Sequence, residues 1–166
     1  MKSLLLLGVL LFARVSLLAQ AAPPLPAEAR QFDFWIGDWD VTLPDGKKAG
    51  ENHIEKISAG WGLLENWTGA GGGVGKSLNT WLPEKKKWRQ FWIGNGGALE
   101  LDGGLNERGE MVLTGATPTP AGGTQLERIT WTPHPDGTVR QHWQQSVDGG
   151  ATWTTAFDGL YRRKAR

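Results

Sequence analysis

From residue 38 onward, glycine- or proline-centred turns break the chain at short, nearly even intervals. DG (45–46), GGGVG (71–75), PEKK (83–86), NGG (95–97), NERGE (106–110), PDG (135–137) and DGG (148–150) are the breaks. They leave room for short strands and little for helices of ordinary length. Between breaks, apolar and polar residues alternate. Trp39, Val41 and Leu43 alternate with Asp38, Asp40 and Thr42, the period of a strand with one buried face. Further strands are predicted near 48–58, 63–68, 77–82, 87–94, 98–102, 110–116, 125–132, 138–147 and 152–163. Ile54 and Ile57 interrupt the alternation of the second, which predicts a bulge there. About ten antiparallel strands joined by tight turns predict an all-β fold, an up-and-down antiparallel β-barrel or sandwich. Closure into a barrel removes the edges that a sheet with 10 Trp in 166 residues would expose.

Helix is predicted only at residues 27–36. Phe32, Trp35 and Ile36 share one face there, with Pro26 placed to start the helix and Gly37 to end it. Upstream, Lys2, an apolar run (4–12) and the small-residue site Ala19-Gln20-Ala21 read as a secretory signal, interrupted by Arg14 and too short to remain as a membrane span. The expected organisation is a signal peptide at 1–21, a Pro-rich linker at 22–26 and one barrel domain at 27–166. The product is expected to be exported, periplasmic or secreted, with no stable membrane anchor after cleavage. Cleavage takes Lys2 and Arg14 from the 18 basic residues, leaving 16 against 17 acidic ones, a net charge of −1. Such a balance carries no footprint for nucleic acid. The absence of Cys rules out disulfides, Cys nucleophiles and Cys-ligated metal.

The opening FDFWIGDWDV (32–41) resembles the Gly-x-Trp start of lipocalin-like, or calycin, barrels. With ENWTG (65–69), RITW (128–131), VRQHW (139–143), SVDGGATW (146–153) and FDGLY (157–161), it is similar to a family of exported bacterial proteins usually labelled a domain of unknown function. The resemblance implies a barrel with a central cavity. Nitrobindin-like members of this superfold hold haem through a His near the last strand. The last strand here, TTAFDGLYRR, has none, and of His53, His134 and His142 only His142 stands on the strand before it; no cofactor and no metal site are read.

Two other motifs have structural readings. SVDGGATW fits the Asp-box pattern familiar from sialidases, whose physical content is a hairpin held by Asp148 with Trp153 packed beneath. GGGVGKS (71–77) approaches a P-loop, but that pattern needs Gly where Ala70 stands and a helix where LNTWLP reads as strand.

The site is read from the strands. Leu63-Glu65-Trp67, Trp88-Gln90-Trp92 and Val139-Gln141-Trp143 each set one polar side chain between apolar ones on a single face. Leu126, Arg128 and Thr130 form a similar row. Facing inward, these make a cavity of Trp67, Trp88, Trp92 and Trp143 with Glu65, Gln90, Arg128 and Gln141 projecting into it, Arg128 pairing with Glu65. Such a wall suits a small apolar or amphipathic molecule. A barrel filled by its own Trp residues is the structural counterpart. Two other functional classes stay open: an enzyme such as an isomerase or cyclase using Glu65 or His142 with Arg128, and a carbohydrate or protein interaction module presenting Trp81, Trp131 and Trp153 on the outside.

Overall fold

The computed structural model describes residues 24–165; the signal and residues 22–23 of the linker lie outside the described residues. Ten strands follow one another: β1 (Gly37–Thr42), β2 (Lys48–Ile57), β3 (Gly62–Gly69), β4 (Val74–Leu82), β5 (Lys87–Gly94), β6 (Gly97–Leu105), β7 (Met111–Pro118), β8 (Thr124–Pro133), β9 (Val139–Ser146) and β10 (Thr154–Arg163). Each pairs antiparallel with the next, and β1 pairs with β10 through Trp39 and Arg163 to Thr42 and Leu160, closing the barrel. This is an all-β, closed, ten-stranded antiparallel barrel preceded by a short helical segment, as the turn spacing predicts, and it is consistent with a calycin-like fold.

Five hairpins share one turn design. The Leu43 N–H donates to the Lys47 carbonyl and the Gly46 N–H to the Leu43 carbonyl, and the same two bonds recur at 69–73, 106–110, 119–123 and 134–138. The fourth residue is always glycine, with φ from +75° to +84° (Gly46, Gly72, Gly109, Gly122 and Gly137). A type I turn followed by a left-handed residue matches the twist of the flanking strands, and glycine takes that conformation without strain. The predicted bulge at Ile54–Ile57 is not there. β2 keeps unbroken register with β3 from Gly50 to Ile57, and Ile57 ends the strand where Ser58 and Ala59 turn with positive φ. The extra residues fall instead at Ala49 of β2, opposite Val41 and Thr42 of β1, and at Ala156 of β10.

The helical segment is two 3₁₀ turns, Ala27–Arg30 and Asp33–Trp35, and not one α-helix. Phe32 breaks the run with φ −102° and ψ 9°, and this break lets Phe32 and Trp35 both enter the barrel. They close the end where β1 begins and β10 finishes. Phe32 stacks on Trp35 with centroids 4.9 Å apart and meets Trp88 and Trp131 edge-on at 5.7 and 5.2 Å. Trp35 also contacts Trp131 and Tyr161, and Trp39 meets Tyr161. The Trp39 indole donates to the Trp35 carbonyl at 2.9 Å and the Trp88 indole to Gln31 at 3.2 Å. This half of the barrel is a solid aromatic plug.

Candidate functional site

The other half of the barrel is not filled. A cavity of about 210 Å³ lies between the plug and the opposite end, lined by Glu65, Trp67, Gln90, Trp92, Leu99, Ile129, Gln141, Trp143, Ala156, Phe157 and Tyr161. Its floor is buried: Glu65, Gln90 and Tyr161 are 4%, 2% and 1% exposed. Its rim is half-buried Trp67, Trp92, Trp143 and Phe157 beside exposed Ala156, so the cavity opens away from the plug.

Glycines on the adjacent strand, or for Phe157 on its own strand, seat the rim rings. A Cβ on Gly75 would lie 2.1 Å from Trp92, one on Gly50 2.7 Å from Trp67, and one on Gly159 2.6 Å from Phe157. Each ring therefore lies against bare backbone and leaves the space in front of it free. Trp143 is held differently. Its indole N–H donates to Glu127 at 2.6 Å, and Glu127 also accepts from Thr117 at 2.9 Å and Gln125 at 2.8 Å.

The floor is one hydrogen-bonded network. Glu65 accepts from Asn52 at 2.7 Å and from the Ser77 hydroxyl at 2.6 Å. Asn79 donates to Ser77 at 2.8 Å, and Gln90 to Asn79 at 2.8 Å. On the other side the Asn52 amide reaches the Tyr161 hydroxyl at 3.3 Å, which donates to Gln141. All partners of Glu65 are neutral. Burial pushes its carboxyl up to about 7, with Ser77 and Asn52 partly opposing the rise. Burial and the Glu65 charge push the Tyr161 phenol well above its ordinary range.

Six of the eight residues read from the sequence, Glu65, Trp67, Gln90, Trp92, Gln141 and Trp143, meet in this cavity, and two do not. Trp88 has the predicted inward face but lies deeper, in the plug against Phe32. Arg128 points outward. Its guanidinium stacks 3.9 Å from the Trp153 ring and donates to Gln144, because β8 turns Glu127, Ile129 and Trp131 inward in place of Leu126, Arg128 and Thr130. Glu65 is thus partnered by Asn52 and Ser77, not by Arg128. Replacing Arg128 with alanine is expected to leave ligand uptake unchanged and to cost at most about 1 kcal/mol, the scale of an exposed cation–π contact; denaturant melts and a binding titration on the same variant check both. Asn52, Ser77, Asn79, Tyr161 and Glu127 were not nominated from the sequence, although Asn52, Ser77 and Asn79 alternate regularly on their strands.

The alternatives lose their residues. His142 is outside the barrel with Nε2 3.0 Å from the Thr155 hydroxyl, so of the enzyme trio only Glu65 faces the cavity, and no histidine lines it. None of the ten Trp is exposed. Trp131 is fully buried in the plug, and Trp153 lies half-buried under Arg128. Among the described residues the exposed large apolar side chains are instead Val74, Leu78, Phe91 and Ile93 on the outer face of β4 and β5, with Leu105 and Val147 elsewhere. In SVDGGATW, Asp148 accepts from the Thr152 amide at 2.9 Å and hydroxyl at 2.6 Å and from Ser146 at 2.7 Å, so its carboxylate closes the turn. GGGVGKS runs straight into β4, with no helix to complete a phosphate loop. The chain matches no protein-family model and no curated protein.

Proposed function

We propose that this is an exported protein that holds a small apolar or amphipathic molecule in the Trp-lined half of its barrel. The observation that carries the reading is the contrast between the two halves. One is filled by Phe32, Trp35, Trp88 and Trp131, while in the other glycines hold Trp67, Trp92 and Phe157 against the wall and clear of the interior. A wall of rings over a few convergent polar groups is the usual composition of a small-molecule site. An apolar cavity of about 150 Å³ takes up benzene, so a cavity of about 210 Å³ has room for one ring or a short chain. Export rests on the pattern of residues 1–21, and kinship with the exported lipocalin-like family on the motifs from FDFWIGDWDV to FDGLY. A proton-transfer enzyme is a second reading, favoured by the Glu65 carboxyl near 7, though no further acid or base shares its cavity apart from the Tyr161 phenol.

Native mass spectrometry of the protein purified from its own host without detergent is the test. The expected result is a reproducible added mass that denaturation removes. Gly75→Val supplies the control. Its side chain would occupy the seat of Trp92 and drive the indole into the cavity, so the variant should stay folded at a cost of about 1–3 kcal/mol and carry no added mass. A bare wild-type protein that also takes up none of three small aromatic probes, neutral 2-phenylethanol, cationic 2-phenylethylamine and anionic 3-phenylpropionate, overturns the reading.

A further inference from the structure

We infer that the ligand this cavity selects is an organic cation, a protonated amine on a small apolar body, with its ammonium group against Glu65 and its body among Trp67, Trp92, Trp143 and Phe157. The inference rests on the binding function proposed above and names the chemical class of its ligand.

The argument begins with charge. The cavity wall contains one carboxylate, Glu65, and no Lys, Arg or His. A second carboxylate, Glu127, lies inside the barrel behind the rim, held by Trp143, Thr117 and Gln125. Lys76 on β4 is exposed, and Arg128 on β8 lies outside against Trp153. Above about pH 7, where Glu65 is ionised, the cavity is therefore negative without an internal counter-charge. A carboxylate or phosphate ligand would meet repulsion there and find no cation to pair with.

Glu65 also has capacity left. An ionised carboxylate offers about four acceptor positions. Asn52 takes one on Oε1 and Ser77 one on Oε2, both as neutral donors. An ammonium group carries three N–H donors and needs such acceptors. Tyr161 and Gln141, bonded to each other on the same floor, add oxygen acceptors beside it.

The walls agree with the floor. Aromatic faces carry the negative part of the ring quadrupole and attract a cation, most strongly for Trp. Three Trp rings and Phe157, which meets Trp67 edge-on at 6.0 Å, surround the space above the carboxylate. A neutral ligand gains from the rings alone. A cation gains from rings and carboxylate together, and it supplies the charge that Glu65 lacks. Binding should accordingly hold Glu65 ionised and release its proton where the free protein carries one.

Three probes of one shape separate the possibilities: 2-phenylethylamine, neutral 2-phenylethanol and anionic 3-phenylpropionate, titrated calorimetrically into the whole mature protein at about pH 8. The amine is expected to bind at least about tenfold more tightly than the alcohol, and the acid more weakly than either. In Glu65→Gln the amine should lose at least about tenfold in affinity, and with it the advantage over the alcohol, while circular dichroism shows that the variant is folded. At about pH 6.5, amine titrations in buffers of different ionisation enthalpy should report proton release, and alcohol titrations none. Equal binding of amine and alcohol, or preference for the acid, overturns the cation assignment and leaves the cavity a binding site. Failure of all three probes overturns the inference, and where the wild-type protein is also bare by native mass spectrometry the binding function falls with it.

Discussion

Phe32→Ala is expected to cost about 3–5 kcal/mol, the range for removing a fully buried aromatic ring. Phe32 is 0% exposed and stacks on Trp35 while meeting Trp88 and Trp131 edge-on. Its loss would leave a void among three indoles that cannot collapse onto one another, since Trp88 and Trp131 are fixed by β5 and β8 and Trp35 by the neck of chain leading into β1. Favourable ring geometry adds about 0.5–1.5 kcal/mol per pair beyond burial. For a chain of this size each kcal/mol lowers the melting temperature by roughly 2–4 °C, so a fall of about 10 °C is expected. Phe34, half-buried with its ring tilted against Phe32 at 5.4 Å, is the internal control and should cost much less. A loss below about 1 kcal/mol for Phe32→Ala would show that residues 27–36 stand outside the cooperative unit and that the aromatic plug does not hold the barrel closed.

That plug also explains which parts of the site could be read in the sequence. The strands were legible because nearly every break carries glycine or proline, and because Trp, Leu and Val alternate with polar residues along β1, β3, β5 and β9. Alternation assigns a face but not a depth. Trp88, Gln90 and Trp92 do share the inward face of β5, yet Trp88 lies in the plug and Trp92 at the rim. The depth of each was set by how far Phe32 and Trp35 reach into the barrel, which depends on a break at Phe32 that helical periodicity conceals.

Arg128 was misplaced for a different reason. In LERITW both parities of β8 mix polar with apolar: Leu126 shares a face with Arg128, and Glu127 shares one with Ile129 and Trp131. A carboxylate on an inner row is costly without donors, and those of Glu127 come from other strands, Thr117 on β7 and Trp143 on β9. The aromatic end of the segment, Ile129 and Trp131 against Thr130 and Thr132, held the stronger signal. The floor network had the same character. Asn52, Ser77 and Asn79 read as polar positions of ordinary strands; pairing of β3 with β2 and β4 sets Asn52 and Ser77 beside Glu65, and closure through β10 adds Tyr161.

Wild-type protein is expected to lose stability between about pH 4.5 and pH 8 through Glu65, and Glu65→Gln to lose that component. The carboxyl rises from 4.5 to about 7 on folding. The folded state therefore holds the proton more tightly than the unfolded chain. The contribution is complete below the unfolded value and disappears as pH rises through the folded one. At 1.36 kcal/mol per unit, the difference amounts to roughly 3 kcal/mol by pH 8. The network accommodates the protonated form. Asn52 Oδ1 is buried without a partner, and a reversed Asn52 amide would present that oxygen to a protonated carboxyl or to the amide N–H of the glutamine variant. Background titration has to be separated from this. His142, lowered by burial, contributes stability above its ordinary range that is lost as pH falls, the opposite slope in an overlapping window. The decisive quantity is therefore the difference between wild type and Glu65→Gln, from urea unfolding at about pH 5 and pH 8. That difference should change by about 2–3 kcal/mol in favour of the variant at the higher pH. Parallel slopes would mean that Glu65 ionises in the folded barrel without penalty, as a carboxylate open to water would, and the dry negative floor on which selection of a cation depends would be gone.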